Sequence, residues 1–384
     1  MPALHELRFR SSPHIDLVLL GDLTAEQREP FRELENDPGF CGLFVARPPL
    51  TMNLKSVQRP AAELFRTLAA PAQLGALLDD DAEREEIIDL VLDGILEVEI
   101  GDAFVCGADA FPFLCGSPGA PEARDAAARL SREALLHAED LETADPQELI
   151  AALYSYNRIP MSAFWRARFP THEAVLAHLG ADRGSLHALL GREFRAWNYD
   201  GAKSWLGWSS KAATQRSADD VTWKLYVSPR PERIRDAFAI TARVLSAFPG
   251  TAFKIGDSAA GLLRPDKLVT YFLSRSQLEE AASELRRELA GCEAHGVPFT
   301  AGLEESGLLS WGVDPPDSDR ALSWLQRESW RLWVVQRLGA ALSMAKSARS
   351  TSAPEPWRFA MERARRQGVD VATWTPSAAL WSTA

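Results

Sequence analysis

The fold of this chain is decided by the stretch Val221-Thr222-Trp223-Lys224-Leu225-Tyr226-Val227, which is rich in β-branched and aromatic residues and predicts a strand. The pattern continues with strands at 252–255 and 267–273, helices at 231–247 and 276–290, and a glycine-rich β segment at 297–313. Short strands mixed with amphipathic helices are typical of an α+β domain. The sequence therefore predicts a small, mostly antiparallel sheet flanked by helices.

The charged side chains divide the chain into two unlike parts. Residues 1–150 carry 29 acidic and 12 basic side chains, whereas residues 151–384 carry 24 acidic and 30 basic side chains. All 12 tryptophans lie between Trp165 and Trp381. We therefore expect three parts: an N-terminal region at 1–116, a helical connecting region at 117–200 and a C-terminal α+β domain at 201–384.

Composition argues against several classes of protein. No apolar run reaches the roughly 18–20 residues that cross a bilayer, and the first residues lack the basic and apolar segments of a secretory signal. The cysteines are scattered without a CxxC pair, which argues against a disulfide framework or a zinc cluster. The net charge of −11 argues against nonspecific nucleic-acid binding. The sequence predicts a cytoplasmic protein that binds neither nucleic acid nor a membrane.

Residues 57–106 predict a winged-helix-like block. Helices are expected at 60–68, 71–78 and 83–94, followed by a β-hairpin. The third helix is acidic and would repel DNA. Two interpretations stay open. The block resembles the PqqD-type recognition element, which would bind a leader peptide as an added strand; alternatively, it is a scaffold without a ligand.

Basic side chains lie on or beside the predicted C-terminal strands. In Phe253-Lys254-Ile255 the lysine must point to the sheet face opposite its neighbours. If that face forms a cleft, Lys224, Lys254 and Arg264 would converge there without acidic partners and suit a phosphate or carboxylate. A lysine desolvated among cations has a lowered pKa and can act as a base. The alternative is that these side chains extend from a solvated face.

Other polar residues share this setting. Lys203, Lys211 and Lys267 lie at or near predicted strands. His295, the only histidine after residue 187, lies in a predicted loop. It could act as a general acid, or it could be an exposed loop side chain.

Four motifs of this region resemble the HopA-type effector domain family. They are Lys224-Leu225-Tyr226-Val227-Ser228-Pro229, Phe253-Lys254-Ile255-Gly256, Arg264-Pro265-Asp266-Lys267-Leu268-Val269-Thr270-Tyr271 and Val297-Pro298-Phe299-Thr300. The resemblance spans residues 221–346 and includes Ser329-Trp330-Arg331 before the last helix. Gly256 and Pro265 depart from the family pattern. The family includes stand-alone lyases of class V lanthipeptide and thioamitide biosynthesis.

The resemblance implies a lyase that eliminates phosphate from phosphoserine or phosphothreonine in a ribosomally made precursor peptide, giving a dehydroamino acid. A kinase encoded nearby would phosphorylate that peptide, and no metal or organic cofactor would be required. β-Elimination needs a base for the Cα proton, cations for the phosphate and a proton donor. The residues expected to serve are Lys254 as base, Lys224, Arg264 and Lys267 as phosphate ligands, and His295 or Tyr271 as proton donor.

Two other functions stay open. The chain could be a noncatalytic binding protein that delivers a precursor peptide to a partner enzyme, with the winged-helix-like block as its binding surface. It could also be an enzyme of another class that acts on an anionic small molecule in the basic C-terminal part.

Overall fold

We describe the protein from a computed structural model, which covers residues 4–47, 55–117, 119, 122–198, 205–212, 222–315 and 328–377. The α-helices are α1 (Ala25–Arg28), α2 (Arg59–Thr67), α3 (Asp81–Leu92), α4 (Gly107–Leu114), α5 (Ala126–Asp140), α6 (Pro146–Ser155), α7 (Ala163–Arg168), α8 (His172–Leu179), α9 (Gly184–Glu193), α10 (Ile234–Leu245), α11 (Ala259–Leu262), α12 (Arg275–Glu288), α13 (Trp330–Lys346) and α14 (Pro356–Arg366).

The β-strands form four antiparallel sheets within the described residues. They are β1 (Arg8–Ser11), β2 (Ile15–Leu19), β3 (Phe40–Ala46), β4 (Lys55–Gln58), β5 (Ala72–Gln73), β6 (Leu96–Ile100), β7 (Ala103–Val105), β8 (Phe194–Asn198), β9 (Trp205–Ser210), β10 (Trp223–Val227), β11 (Ala252–Gly256), β12 (Leu268–Phe272), β13 (Ala301–Gly302), β14 (Leu309–Val313), β15 (Val369–Asp370) and β16 (Thr375–Pro376). The protein is a mixed α+β fold, as the sequence predicts.

The largest sheet has seven strands in the order β13-β14-β10-β12-β11-β9-β8. One face packs on the principal hydrophobic core with α10 and α12, and Phe253 and Ile255 are fully buried there. Lys254 lies between them in the strand and its Nζ approaches the rings of Trp205 and Tyr271. The predicted orientation of Lys254, opposite its apolar neighbours, is confirmed.

The edge of this sheet corrects a predicted helix. The sequence predicts a helix through residue 196, but α9 ends at Glu193 and β8 begins at Phe194. Leu190 and Phe194 have the spacing of one helix face, which favours a helix from sequence alone. In the structure Phe194 instead packs edge-on against Phe253, and β8 pairs with β9 along its whole length. Tertiary packing overrides the local pattern here.

The N-terminal part contains the three-stranded sheet β2-β3-β4 and the four-stranded sheet β5-β1-β6-β7. The predicted hairpin is confirmed as β6 and β7. The helix predicted over 71–78 is wrong: β5 pairs with β1, and a short 3₁₀ turn follows at Gly75–Leu78. Gly75 has φ +48°, a left-handed conformation that an α-helix cannot contain.

Helices α13 and α14 build a second hydrophobic core that draws on distant parts of the chain. It includes Ile88 of α3, Leu149 of α6, Trp333 of α13 and Phe359 of α14. Residues from all three predicted parts of the chain therefore share one core. No helix in the described ranges combines the length and apolarity needed to cross a bilayer.

Gly256, two residues after Lys254 in β11, has a packing role. A Cβ there would lie 2.7 Å from the Cα of Gly261 in α11. We expect Gly256→Ala to lower the free energy of unfolding by about 1–3 kcal/mol or more, because backbone atoms cannot move aside as a side chain does. Urea denaturation checks this.

Gly191→Ala is the matched control for that substitution. A Cβ on Gly191 would have no neighbour within 4 Å, and Gly191 is helical, so alanine should stabilise α9 slightly. Equal stability of wild type and Gly256→Ala would contradict the close contact between the backbones of Gly256 and Gly261.

Candidate anion site on the seven-stranded sheet

Lys254 lies at the centre of the sheet face that is turned away from the principal core. It is paired in register with Gly207 of β9 and Val269 of β12. Its Nζ lies 4.4 Å from the ring centroid of Trp205 and 5.8 Å from that of Tyr271. Burial lowers the pKa of Lys254 to about 8, and the nearby positive charge of Lys224 acts in the same direction.

The structure brings the other two predicted cations to the same place. Lys224 is the register partner of Tyr271, and its Nζ lies 5.7 Å from that ring centroid. Arg264 follows α11, and its Cζ lies 5.2 Å from the ring centroid of Trp205. Lys224, Lys254 and Arg264 thus surround two aromatic rings on one face.

Two carboxylates lie among these cations, which corrects the expectation that acidic partners are absent. Asp266 accepts two hydrogen bonds of 2.8 Å from Arg264, and Asp314 forms an ion pair with Lys224. Asp266 also pairs with Arg331 at 3.2 Å. Four cations therefore face two carboxylates, and the cluster keeps an excess of positive charge.

The neighbouring cations stabilise the ionised form of the Asp266 carboxylate. Burial alone would raise the pKa of the carboxyl group. The hydrogen bonds from Arg264 and the charge of Arg331 outweigh burial and hold the pKa well below its usual range. Asp266 is therefore ionised at neutral pH.

Aromatic side chains close around Lys254. A Cβ on Gly207, its register partner, would lie 2.6 Å from the indole ring of Trp197. That ring therefore crosses directly over the backbone of β9. Only glycine at this position leaves room for that ring, which covers the strand position in register with Lys254.

Lys267 and His295 form a separate, buried pair. The Nζ of Lys267 lies 2.7 Å from Nδ1 of His295 and donates to the carbonyl oxygen of Pro229. The other ring nitrogen, Nε2 of His295, lies 2.6 Å from the carbonyl oxygen of Asn157. His295 is 9% exposed, so the interpretation as an exposed loop side chain is wrong. Burial lowers the pKa of both groups, and the charge of Lys267 further lowers that of His295.

Several residues of the cluster were missed in the sequence. Asp266 and Arg331 lie inside the motifs that carry the family resemblance, and their charge was the available signal. Tyr154 comes from α6, and its hydroxyl lies 3.4 Å from Nη2 of Arg264. Asp314 follows β14. Nothing in the local sequence of these two residues indicates that they lie beside the seven-stranded sheet.

Two of the lysines predicted to lie near the strands are not part of the cluster. Lys211 is exposed beside α9, and Lys203 lies outside the described residues.

The described residues offer no obvious metal centre. Within them, no group of three or more His, Cys, Asp or Glu side chains could hold a metal ion. Burial raises the pKa of Cys106 to about 12 and that of Cys115 to about 11, so both thiols stay protonated at neutral pH.

The acidic face of the N-terminal part is engaged within the molecule. Arg363 of α14 pairs with Asp89 and Asp93, and Arg366 pairs with Glu85 and Asp89. Arg363 is 3% exposed. These carboxylates, on α3 and at its C-terminal end, therefore hold α14 in place.

Comparisons with known proteins add little. No protein-family model matches the chain, and no curated protein matches it. Among solved structures, the chain is similar to an effector protein from Pseudomonas syringae pv. tomato strain DC3000, with a TM-score of 0.43, 13% identity, and coverage of 66% of this chain and 98% of that chain. A second effector protein, from Pseudomonas syringae pv. syringae strain 61, has a TM-score of 0.39, 13% identity, and coverage of 67% and 99%. Likeness at this level carries no argument about activity.

Proposed function

We propose that this protein eliminates phosphate from phosphoserine or phosphothreonine in a ribosomally made precursor peptide and so produces a dehydroamino acid. The observation that carries the proposal is the environment of Lys254, a partly buried amine with a pKa near 8 beside Lys224 and Arg264. An amine of that pKa supplies a base near neutral pH. The excess of positive charge around it suits a phosphate dianion.

The residues divide into roles that balance the reaction. The neutral amine of Lys254 takes the Cα proton, and the electron pair of that bond forms the Cα=Cβ double bond. The Cβ–O bond breaks, and phosphate leaves with its electron pair. Lys224 and Arg264 stabilise the phosphate oxygens, and Tyr271, which lies between the two lysines, donates a proton to the leaving oxygen.

The alternative proton donor, His295, and the third predicted phosphate ligand, Lys267, stay predictions. Each is engaged by the other in the buried pair. For either to act on a substrate, the pair would have to open. The proposed mechanism therefore uses neither.

The pH dependence of the reaction follows from the pKa of Lys254. Because the amine must be neutral, kcat/KM should rise with pH and level off above an apparent pKa near 8. Rates measured above about pH 7 avoid the second ionisation of the phosphate ester, which lies near pH 6. A flat profile in that range would contradict Lys254 as the base.

The direct test uses purified protein and peptides centred on phosphoserine or phosphothreonine with randomised flanking residues. Mass spectrometry should show the loss of one molecule of phosphoric acid. Hydrolysis would instead regenerate the unphosphorylated peptide, so the two products differ by one water molecule. The test includes a phosphopeptide whose sequence is encoded by a precursor gene next to a kinase gene. If the masses of all these phosphopeptides stay unchanged, the proposal is contradicted.

One observation favours a second candidate, a noncatalytic peptide-binding partner in a modification complex. The ion pairs Arg264–Asp266 and Lys224–Asp314 partly neutralise the cations that would stabilise a leaving phosphate. A site built for binding alone would retain a phosphopeptide and leave its mass unchanged. That result would favour the second candidate over the lyase.

A further inference from the structure

We propose that Asp266 is a positioning residue, which fixes the guanidinium of Arg264 so that its remaining edge meets a phosphate group. The inference rests on the proposed function, because it takes a phosphorylated side chain as the ligand. Asp266 is an anion and would repel a phosphate group in direct contact, so its role must be exerted through Arg264.

The hydrogen bonds of Arg264 define the orientation. Nε and Nη2 each donate to one oxygen of Asp266 at 2.8 Å, so the two planar groups are held edge to edge. Nη2 also lies 3.4 Å from the hydroxyl of Tyr154. No acceptor for Nη1 lies among the described residues, and the edge that carries Nη1 is the one left for a ligand.

Asp266 is in turn held by a side chain that cannot move easily. Arg331, 1% exposed, donates to Asp266 at 3.2 Å, to the carbonyl oxygen of Pro298 at 3.1 Å and to that of Tyr154 at 2.6 Å. These contacts join α13, the segment before β13 and the end of α6. The orientation of Arg264 is therefore set by three distant segments through one buried carboxylate.

Removing the charge of Asp266 has opposite expected effects on phosphate binding if the residue orients Arg264 and if it acts only through its electric field. A buried carboxylate near the site repels a phosphate dianion. If its field were its main effect, removing the charge would tighten phosphate binding. If it acts by orienting Arg264, removing the charge weakens binding, and the weakening disappears when Arg264 is absent.

A double-mutant cycle measures this dependence. We would determine the dissociation constants of a phosphothreonine peptide and of inorganic phosphate by calorimetry for wild type, Asp266→Asn, Arg264→Ala and the double variant. Asp266→Asn should weaken binding of both by about tenfold, the effect of losing one charge-assisted contact. In the Arg264→Ala background the same substitution should not weaken binding further.

Controls separate this from loss of folding. Asp93→Asn is matched, because Asp93 is a partly buried carboxylate that is also held by two cations, Lys55 and Arg363, and it should leave phosphate binding unchanged. If Asp266→Asn does not fold, the cycle is run with Asp266→Glu, which keeps the charge and shifts the carboxylate by one methylene group.

Three outcomes overturn the inference: tighter or unchanged binding in Asp266→Asn, equal weakening with and without Arg264, or a wild type that binds neither phosphate probe. The failure of the proposed function is separate. A protein that shows the coupling but leaves the phosphopeptide mass unchanged would refute the lyase and keep the positioning role.

Discussion

Replacing Lys254 by methionine should remove elimination activity and, at the same time, make the protein more stable. Loss of a general base lowers kcat by about 10²–10⁴-fold. The stability gain has a different cause. Burial depresses the pKa of this lysine in the folded state to about 8 from 10.5, so its protonated form is disfavoured there at neutral pH. Removing it should raise the free energy of unfolding at pH 7 by about 1–3 kcal/mol.

The pH dependence of that gain gives a second check. Because the unfolded chain binds more protons than the folded chain between about pH 8 and 10.5, wild type becomes relatively more stable as pH rises through that window. The advantage of Lys254→Met should therefore shrink there. Urea denaturation and the phosphopeptide mass assay measure the two effects, with Lys211→Met as a surface control. A variant that keeps full activity would show that Lys254 is not the base.

Replacing Arg331 by methionine should cost more stability than any other single change in the cluster. Its guanidinium is 1% exposed and bonds to Asp266 and to two carbonyl oxygens, and methionine leaves all three acceptors without these donors. Breaking a buried ion pair by removing one partner costs about 3–5 kcal/mol. We expect a loss of that size in the free energy of unfolding, measured by urea denaturation.

Arg337→Met is the control for that substitution because it makes the same chemical change on the same helix. Arg337 is partly buried, and its Cζ lies 3.4 Å from the ring centroid of Trp333, a contact worth about 0.5–2 kcal/mol. Similar losses in the two variants would show that Arg331 has no special part in holding the cluster.

The sequence is most informative where a residue's setting is local. Alternation along a strand suffices to place Lys254 opposite Phe253 and Ile255, and the structure agrees. Local signals are weaker at helix ends. The spacing of Ser276 and Glu279 predicts that Ser276 is the N-cap of α12. In the structure the N-cap is Ser274, whose hydroxyl accepts a hydrogen bond from the backbone amide of Gln277. Both serines have a suitable side chain, and the backbone conformation determines which of them is the cap.

The partners of the cations could not be predicted, because long-range packing supplies them. Tyr154 reaches Arg264 across 110 positions of sequence, and Asp314 reaches Lys224 across 90. For the same reason β9 was missed: its strand character depends on pairing with β8 and β11. The sequence also predicts one or two helices over 318–346. The structure shows α13 from Trp330 to Lys346, and positions 318–327 lie outside the described residues.

The measurement that tests the central claim most directly is the fate of a phosphothreonine peptide carrying deuterium at Cα, followed by mass spectrometry with wild type and Lys254→Met. We predict that wild type releases phosphoric acid, that the product loses the deuterium, and that the reaction is slower than with the undeuterated peptide. Lys254→Met should leave the peptide unchanged. A peptide that keeps its phosphate in the presence of wild type, or loses it while keeping the deuterium, would contradict β-elimination at this site.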